Sequence, residues 1–408
     1  MKILMISYHF PPEDGSCSDK NIKMLNALID SGVSVDVLTV GNDSLKNNIK
    51  SSVYRVKGGI FHRGVNEILS DCSSTTITDM TNKRNSIKKF IRDHIIPDPV
   101  IDWYPNVIRW AKTVNWGKYD LILSISSPYS AHIISEKLSR KYNVPFICTY
   151  GDPWIYEPSR KRSKLRYAIE FCLEKRVAKR AKKIFVITDY NKRKYSELYN
   201  LSNDKIDTFN IGFDQNMVKN IESNVSNGKI HLIYGGSLNP VHRNPYPFVD
   251  AVNDMPNKDI IHAVIYNNDY TQLRESVEKF GIQDIVEIKD LVPSEQFRKE
   301  LYKSNVLLLF GNKTTFQVPG KIFEYIATGI HILYIRNNNS DDDASLKILQ
   351  DYGNVTVTSN DKKDIIDAIE RMHQLFSSDK ILNEHNRERY EYHETMRNIV
   401  DYVKNFKK

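Results

Sequence analysis

The chain has 408 residues, 40% of them apolar and 26% charged, a balance that excludes an intrinsically disordered protein and leaves room for two or three domains. Its net charge of +8 is local: between Arg160 and Lys183, eleven Lys or Arg face two Glu, so the remainder is close to neutral. No apolar run approaches the roughly 18 residues that span a bilayer.

The opening stretch MKILMISYHFPPEDG is too short in its apolar part and wrongly flanked for a signal peptide, so a cytosolic protein is expected. KILMISY reads as a strand, DKNIKMLNALIDS as a helix with Ile22, Leu25, Leu28 and Ile29 on one face, and VSVDVLTV as the next strand. A weaker basic cluster runs from Asn82 to Ile95. DLILSIS, a helix over Ala131 to Lys141, VPFICTY, a basic helix, KIFVIT and a helix over Tyr190 to Tyr199 continue the alternation. It predicts a parallel sheet covered on both faces. In the basic helix, Leu165, Ile169, Leu173 and Val177 recur at helical spacing, the pattern of an amphipathic segment drawn to an anionic membrane surface. Aromatic residues are not interleaved with these cations as single-strand binders require, so nucleic acid is not the expected partner.

Residues 215 to 229 are polar and aperiodic, a linker. A second series follows: KIHLIYG, a helix after Pro247, DIIHAVIY, a helix over Tyr270 to Phe280, IVEIKDL, a helix over Ser294 to Lys303, VLLLFG, the segment VPGKIFEYIATG, HILYI, a helix over Ala344 to Gln350, and a strand over Asn354 to Val357. Helices over Asp361 to Phe376 and Asn383 to Lys408 close the chain. The domains read as 1–214, 215–380 and a returning helix within 381–408.

Ligands of open α/β sheets bind where strands run into helices. After HLIY, Gly235, Gly236 and Ser237 let backbone approach a ligand, and Arg243 brings a cation. Pro319 and Gly320 make a corner before a helix whose N-terminus suits phosphate. Lys321 there opposes the helix dipole unless an anion sits between them. Glu324, one turn on, suits the vicinal hydroxyls of a ribose, although a plain Lys321–Glu324 pair is the alternative. In the first half, Ser124 to His132 and Cys148 to Trp154 each follow a strand. Asp152 is the leading candidate to orient or deprotonate an acceptor hydroxyl, with a turn-forming role as its alternative. His132 is a second candidate, more readily a structural residue. Asp341, Asp342 and Asp343 read as acids at a helix start and not as a metal site. Cys17, Cys72, Cys148 and Cys172 suggest neither disulfides nor zinc.

The motifs SYHFPPEDGS, FNIGFD, YGGSLNPVHRNPYPF and PGKIFEYIATG, in that order, resemble the family 4 retaining glycosyltransferases of the GT-B fold, especially those building bacterial surface polysaccharides. The resemblance implies two Rossmann-like domains facing each other across a cleft. It implies a nucleotide-sugar donor, UDP-linked by preference, a lipid-linked glycan acceptor, and no metal or other cofactor. The family's ribose-binding glutamate falls on Glu324, its phosphate-binding lysine on Arg243, and a second lysine on Lys321. Gly15 and Ser16 take the place of the glycines of the N-terminal loop. Asp152 stands where many relatives have a histidine, as in a branch with an Asp-x-Trp signature. Phe316 and Ser237 stand where the family usually has a glutamate and an arginine. A nucleotide-sugar epimerase of the same fold and a non-catalytic sugar-binding paralogue are the competing readings.

Overall fold

The computed structural model describes residues 1–13, 15–41, 51–59, 95–157, 162–217, 228–267, 271–377 and 385–407. Cys72, Arg160, Lys161 and nearly all of the Asn82 to Ile95 cluster lie outside them. The chain divides into two compact units, 1–211 with 395–408, and 212–394. The boundaries thus fall a few residues before 214 and well after 381.

Unit 1 is a seven-stranded parallel sheet: β1 (Lys2–Ile6), β2 (Ser34–Val40), β3 (Ser52–Val56), β4 (Leu121–Ile125), β5 (Phe146–Tyr150), β6 (Ile184–Val186) and β7 (Ile206–Thr208). Its spatial order is β3-β2-β1-β4-β5-β6-β7. Crossovers run through α1 (Ser16–Asp30), α2 (Tyr104–Ala111), α3 (Ser130–Tyr142), α4 (Lys164–Arg180) and α5 (Asp189–Tyr199). The strands are apolar because both faces are covered, with Leu4, Ile6, Leu38, Ile122 and Ile184 in one core cluster. Local chemistry sets the helix ends. Ser163 and Thr188 accept from the N–H groups of Arg166 and Asn191, and Asn200 closes α5 in the left-handed conformation.

Unit 2 repeats the plan with six parallel strands: β8 (Ile230–Gly235), β9 (Ile261–Tyr266), β10 (Val286–Lys289), β11 (Val306–Phe310), β12 (His331–Arg336) and β13 (Val355–Ser359), in the order β10-β9-β8-β11-β12-β13. Its helices are α6 (Tyr246–Asp254), α7 (Thr271–Phe280), α8 (Ser294–Leu301), α9 (Lys321–Thr328), α10 (Ala344–Tyr352) and α11 (Lys362–Ser377).

Both orders reverse at the first strand, between β1 and β4 and between β8 and β11, and such a reversal opens a crevice at the strands' carboxyl ends. In unit 2 the opening is visible in the register. β8 and β11 pair at Leu232–Val306 and Ile233–Leu307, so Tyr234 and Gly235 run on without pairing to β11.

The expected last helix is interrupted. Phe213 forms a strand-like bridge with Glu391, and its N–H donates to the Tyr390 carbonyl at 2.9 Å. That extended pairing breaks the helix, and α12 (Arg397–Lys404) resumes in unit 1.

Candidate active site

In unit 2 the two sequence motifs meet at the reversal point. Gly235 ends β8 because a side chain there would strike the Phe297 ring at 2.2 Å. Gly236 has φ 156° and lies under the Lys321 side chain, whose Cε would be 3.1 Å from an added Cβ. The Asn267 side-chain amide donates to the Gly236 carbonyl (2.7 Å) and the Tyr234 hydroxyl to the Ser237 carbonyl (3.0 Å), holding the loop shape. Burial pushes that phenol up to about 12, so it remains a donor at physiological pH.

The two cations reach this loop from different elements. Arg243 donates to Asn312 Oδ1 at 2.7 Å and lies 3.5 Å from the Ser237 carbonyl. Both acceptors are uncharged, and among the described residues no carboxylate pairs with this guanidinium. Lys321 begins α9 after Pro319 and Gly320, with Nζ 4.7 Å from the Phe297 ring centre and 3.7 Å from Glu324. The Lys321–Glu324 pair therefore exists, but it is long and its side chains are 31% and 37% exposed, so it contributes only a few tenths of a kcal/mol. The N–H groups of Ile322 and Phe323 turn back on the carbonyls of Pro319 and Gly320, each at 3.1 Å. The first turn is thus less open to phosphate than a bare helix start, and the side-chain cations carry more of the charge.

Asn267, Asn312, Asn337, Asn338 and Asn360 were not singled out in the sequence. Each follows a strand of unit 2, and their amides bond to loop carbonyls or to one another; Asn338, for example, donates to the Asn312 carbonyl at 2.9 Å. The available signal was an asparagine shortly after each of four apolar strands, in IYNN, LFGN, IRNNN and VTSN. Phe316 is half-buried in the loop before α9. Asp343 caps α10, accepting from Ser345 and Leu346 N–H, as an acid at a helix start should. Among the described residues no three His, Cys, Asp or Glu gather as a metal site.

In unit 1, Gly15 precedes α1 with φ 131°, a conformation L side chains rarely adopt, and Ser16 is its first residue. Asp152 is exposed just beyond β5. The chain after it is locked down. Trp154 is buried, stacked on Tyr129 at 5.1 Å, and its indole N–H donates to Glu170 at 3.1 Å; the Ile155 N–H donates to Glu174 at 3.0 Å. Glu170 also accepts from Arg162 (2.8 Å) and Arg166 (2.6 Å), and Glu174 from the hydroxyls of Tyr195 and Tyr199. Two buried acids one turn apart on α4 thus anchor the Asp152 loop.

These contacts give four arginines of the basic stretch carboxylate partners. Arg162 and Arg166 are bound to Glu170, while Arg176 and Arg180 reach the buried Glu136. His132 lies in the core of unit 1. Its imidazole is wholly buried, with Nδ1 2.7 Å from the Ser124 hydroxyl, and burial with the nearby Lys20 charge pushes its pKa down to about 3. It is a neutral core residue and does not meet solvent in this conformation.

Burial raises Glu174 to about 7 against its hydrogen-bond donors. Between about 4.5 and 7 the folded state therefore binds more protons than the unfolded one, so this residue makes stability fall as pH rises through that window. Glu174→Gln is expected to flatten that slope, measured by denaturant unfolding at pH 5 and pH 8. Equal slopes in the two proteins would contradict it.

The class is set by the whole chain. Its fold is that of sucrose-phosphate synthase from Thermosynechococcus elongatus (TM-score 0.65, 14% identity, 99% of this chain and 97% of that one). HepE from Anabaena in complex with UDP matches equally (0.65, 12%, all of both chains). The UDP-GlcNAc 2-epimerase from Methanocaldococcus jannaschii matches at 0.54 and 12%, again over all of both chains. This is the GT-B fold. Residues 22–217 match the model of Glycosyltransferase Family 4. No curated protein matches it in sequence.

Proposed function

We propose that the chain is a retaining glycosyltransferase that moves a sugar from a nucleoside-diphosphate sugar, a UDP-sugar first, to a lipid-linked glycan during bacterial surface-polysaccharide synthesis. The observation that carries this reading is the convergence of Arg243 and Lys321 on the glycine loop at the reversal point of unit 2, with Glu324 beside Lys321. Two cations suit a diphosphate and one carboxylate suits a ribose. In the reaction an acceptor hydroxyl oxygen bonds to the anomeric carbon on the face from which the diphosphate leaves. The glycosidic C–O electrons go to the diphosphate, and the hydroxyl proton goes to the departing phosphate oxygen or to Asp152. The protein contributes position and charge stabilisation on the leaving group. Arg243 and Lys321 take the part a divalent ion takes elsewhere, with no separate cofactor.

A panel of nucleotide sugars with and without glycan acceptors tests this. Transfer that needs both substrates, retains anomeric configuration and survives EDTA is expected. The likeness to UDP-GlcNAc 2-epimerase favours one rival reading, which conversion of donor without acceptor would establish in place of ours. Binding with no turnover would establish the sugar-binding paralogue.

The reading also places the protein on the inner face of an anionic membrane. No helix of the described residues is long and apolar enough to cross one. Support for a peripheral site comes from α4, where Leu165 and Ile169 are 73% and 41% exposed beside the exposed Lys164. Leu165→Ser with Ile169→Ser and Lys164→Glu is expected to abolish sedimentation with phosphatidylglycerol liposomes. Undiminished sedimentation would rule this face out.

A further inference from the structure

Lys20 is 4% exposed, although it lies only one turn into α1. Its ammonium crosses the reversal point of unit 1, from the helix after β1 to the loop after β4, and donates to the Ser126 carbonyl at 2.8 Å. That carbonyl is neutral, and among the described residues no carboxylate comes within ion-pair distance of Nζ. Glu13, in the segment before α1, pairs with His9 at 2.8 Å. An ammonium taken out of water without a counter-charge costs several kcal/mol. The amino-terminal ends of α1 and α3 open on the same sheet edge and add positive potential, which makes a bare cation less favourable still.

The Gly151 backbone lies directly against this ammonium. Gly151, at the end of β5, has no side chain, and a Cβ built on it would lie 3.0 Å from Lys20 Nζ. The next residue is Asp152. His132, which this ammonium also faces, is neutral and supplies no negative charge. A buried positive charge thus stands at the ligand-binding edge of unit 1, one residue from the group assigned to the acceptor hydroxyl.

We propose that Lys20 binds an oxyanion of the acceptor, a sugar carboxylate or a phosphate, so that the glycan extended by this protein is acidic next to the hydroxyl that accepts the new sugar. This rests on the transferase reading and adds the substrate's charge to it. Lys20 donates its remaining N–H bonds to the anion, and Gly151, with no side chain, does not crowd the ammonium.

The test uses the full chain carrying Arg243→Ala and Lys321→Ala, which removes the unit 2 cations, titrated calorimetrically in phosphate-free buffer with inorganic phosphate, glucuronate and UDP. Phosphate or glucuronate is expected to bind this variant, with the tighter of the two identifying the anion. Adding Lys20→Met should weaken it about 10-fold or more, as loss of charged hydrogen bonds does. Gly151→Ala, which keeps the charge but presses a methyl against the ammonium, should also weaken it, and decides the matter if Lys20→Met does not fold. Absence of binding, or binding that neither substitution changes, overturns the proposal. So does loss of UDP binding on Lys20→Met in the otherwise unaltered chain, which would assign the ammonium to the donor. UDP binding that survives Arg243→Ala with Lys321→Ala would instead overturn the unit 2 reading and leave the Lys20 result standing.

Discussion

Glu170→Ala is expected to destabilise unit 1 by about 3–5 kcal/mol, the cost of leaving buried cations without their partner. Glu170 is 0% exposed, and the side chains of Arg162 and Arg166 beside it are only 7% and 15% exposed. Without the carboxylate, two guanidinium groups and the Trp154 indole lose their shared acceptor together. Because Trp154 lies two residues from Asp152, the loss acts on the Asp152 loop as well as on the core. Denaturant unfolding gives the energy, and acceptor KM gives the effect on the loop. A loss below about 1 kcal/mol would mean that the cluster is solvated and does not hold the loop.

Lys321→Ala carries the second large effect, on turnover and not on folding. If Lys321 contacts the diphosphate, removing it costs a charged hydrogen bond of about 1.5–3 kcal/mol, roughly a 10- to 100-fold fall in kcat/KM. Its pair with Glu324 is too long and too exposed to matter comparably to the fold. Activity should therefore fall while the thermal midpoint stays within a few degrees. A midpoint that collapses with the activity would support the plain helix pair instead.

The alternation of strands and helices was legible because apolar runs, glycine stops and capping residues are local signals. β3, with the mixed sequence SVYRV, and β7, with IDT, contain no apolar run to carry one. The Pro319–Glu324 segment could be read because Lys321 breaks a local electrostatic rule. What joins it to Gly235 and Arg243 is the order of the strands, which no single segment encodes. The basic stretch misled in a specific way. Glu170 and Glu136 draw four of the arginines into ion pairs, of which only Arg166–Glu170, at i,i+4, could be read from spacing. Leu165, Ile169, Leu173 and Val177 do not share one face either. Spacing of four residues drifts about 40° per step on a helix of 3.6 residues per turn. Over three steps the row winds from Leu165, 73% exposed, to Val177, at 0%. Lys20 offered no signal at all, since only the folded chain shows that it is buried.

Diffraction from crystals grown with UDP tests the central claim most directly. The account predicts the diphosphate against Gly236, Arg243 and Lys321, with the ribose hydroxyls on Glu324. UDP bound elsewhere on the chain, or nowhere on it, would contradict the assignment of unit 2 as the donor-binding unit.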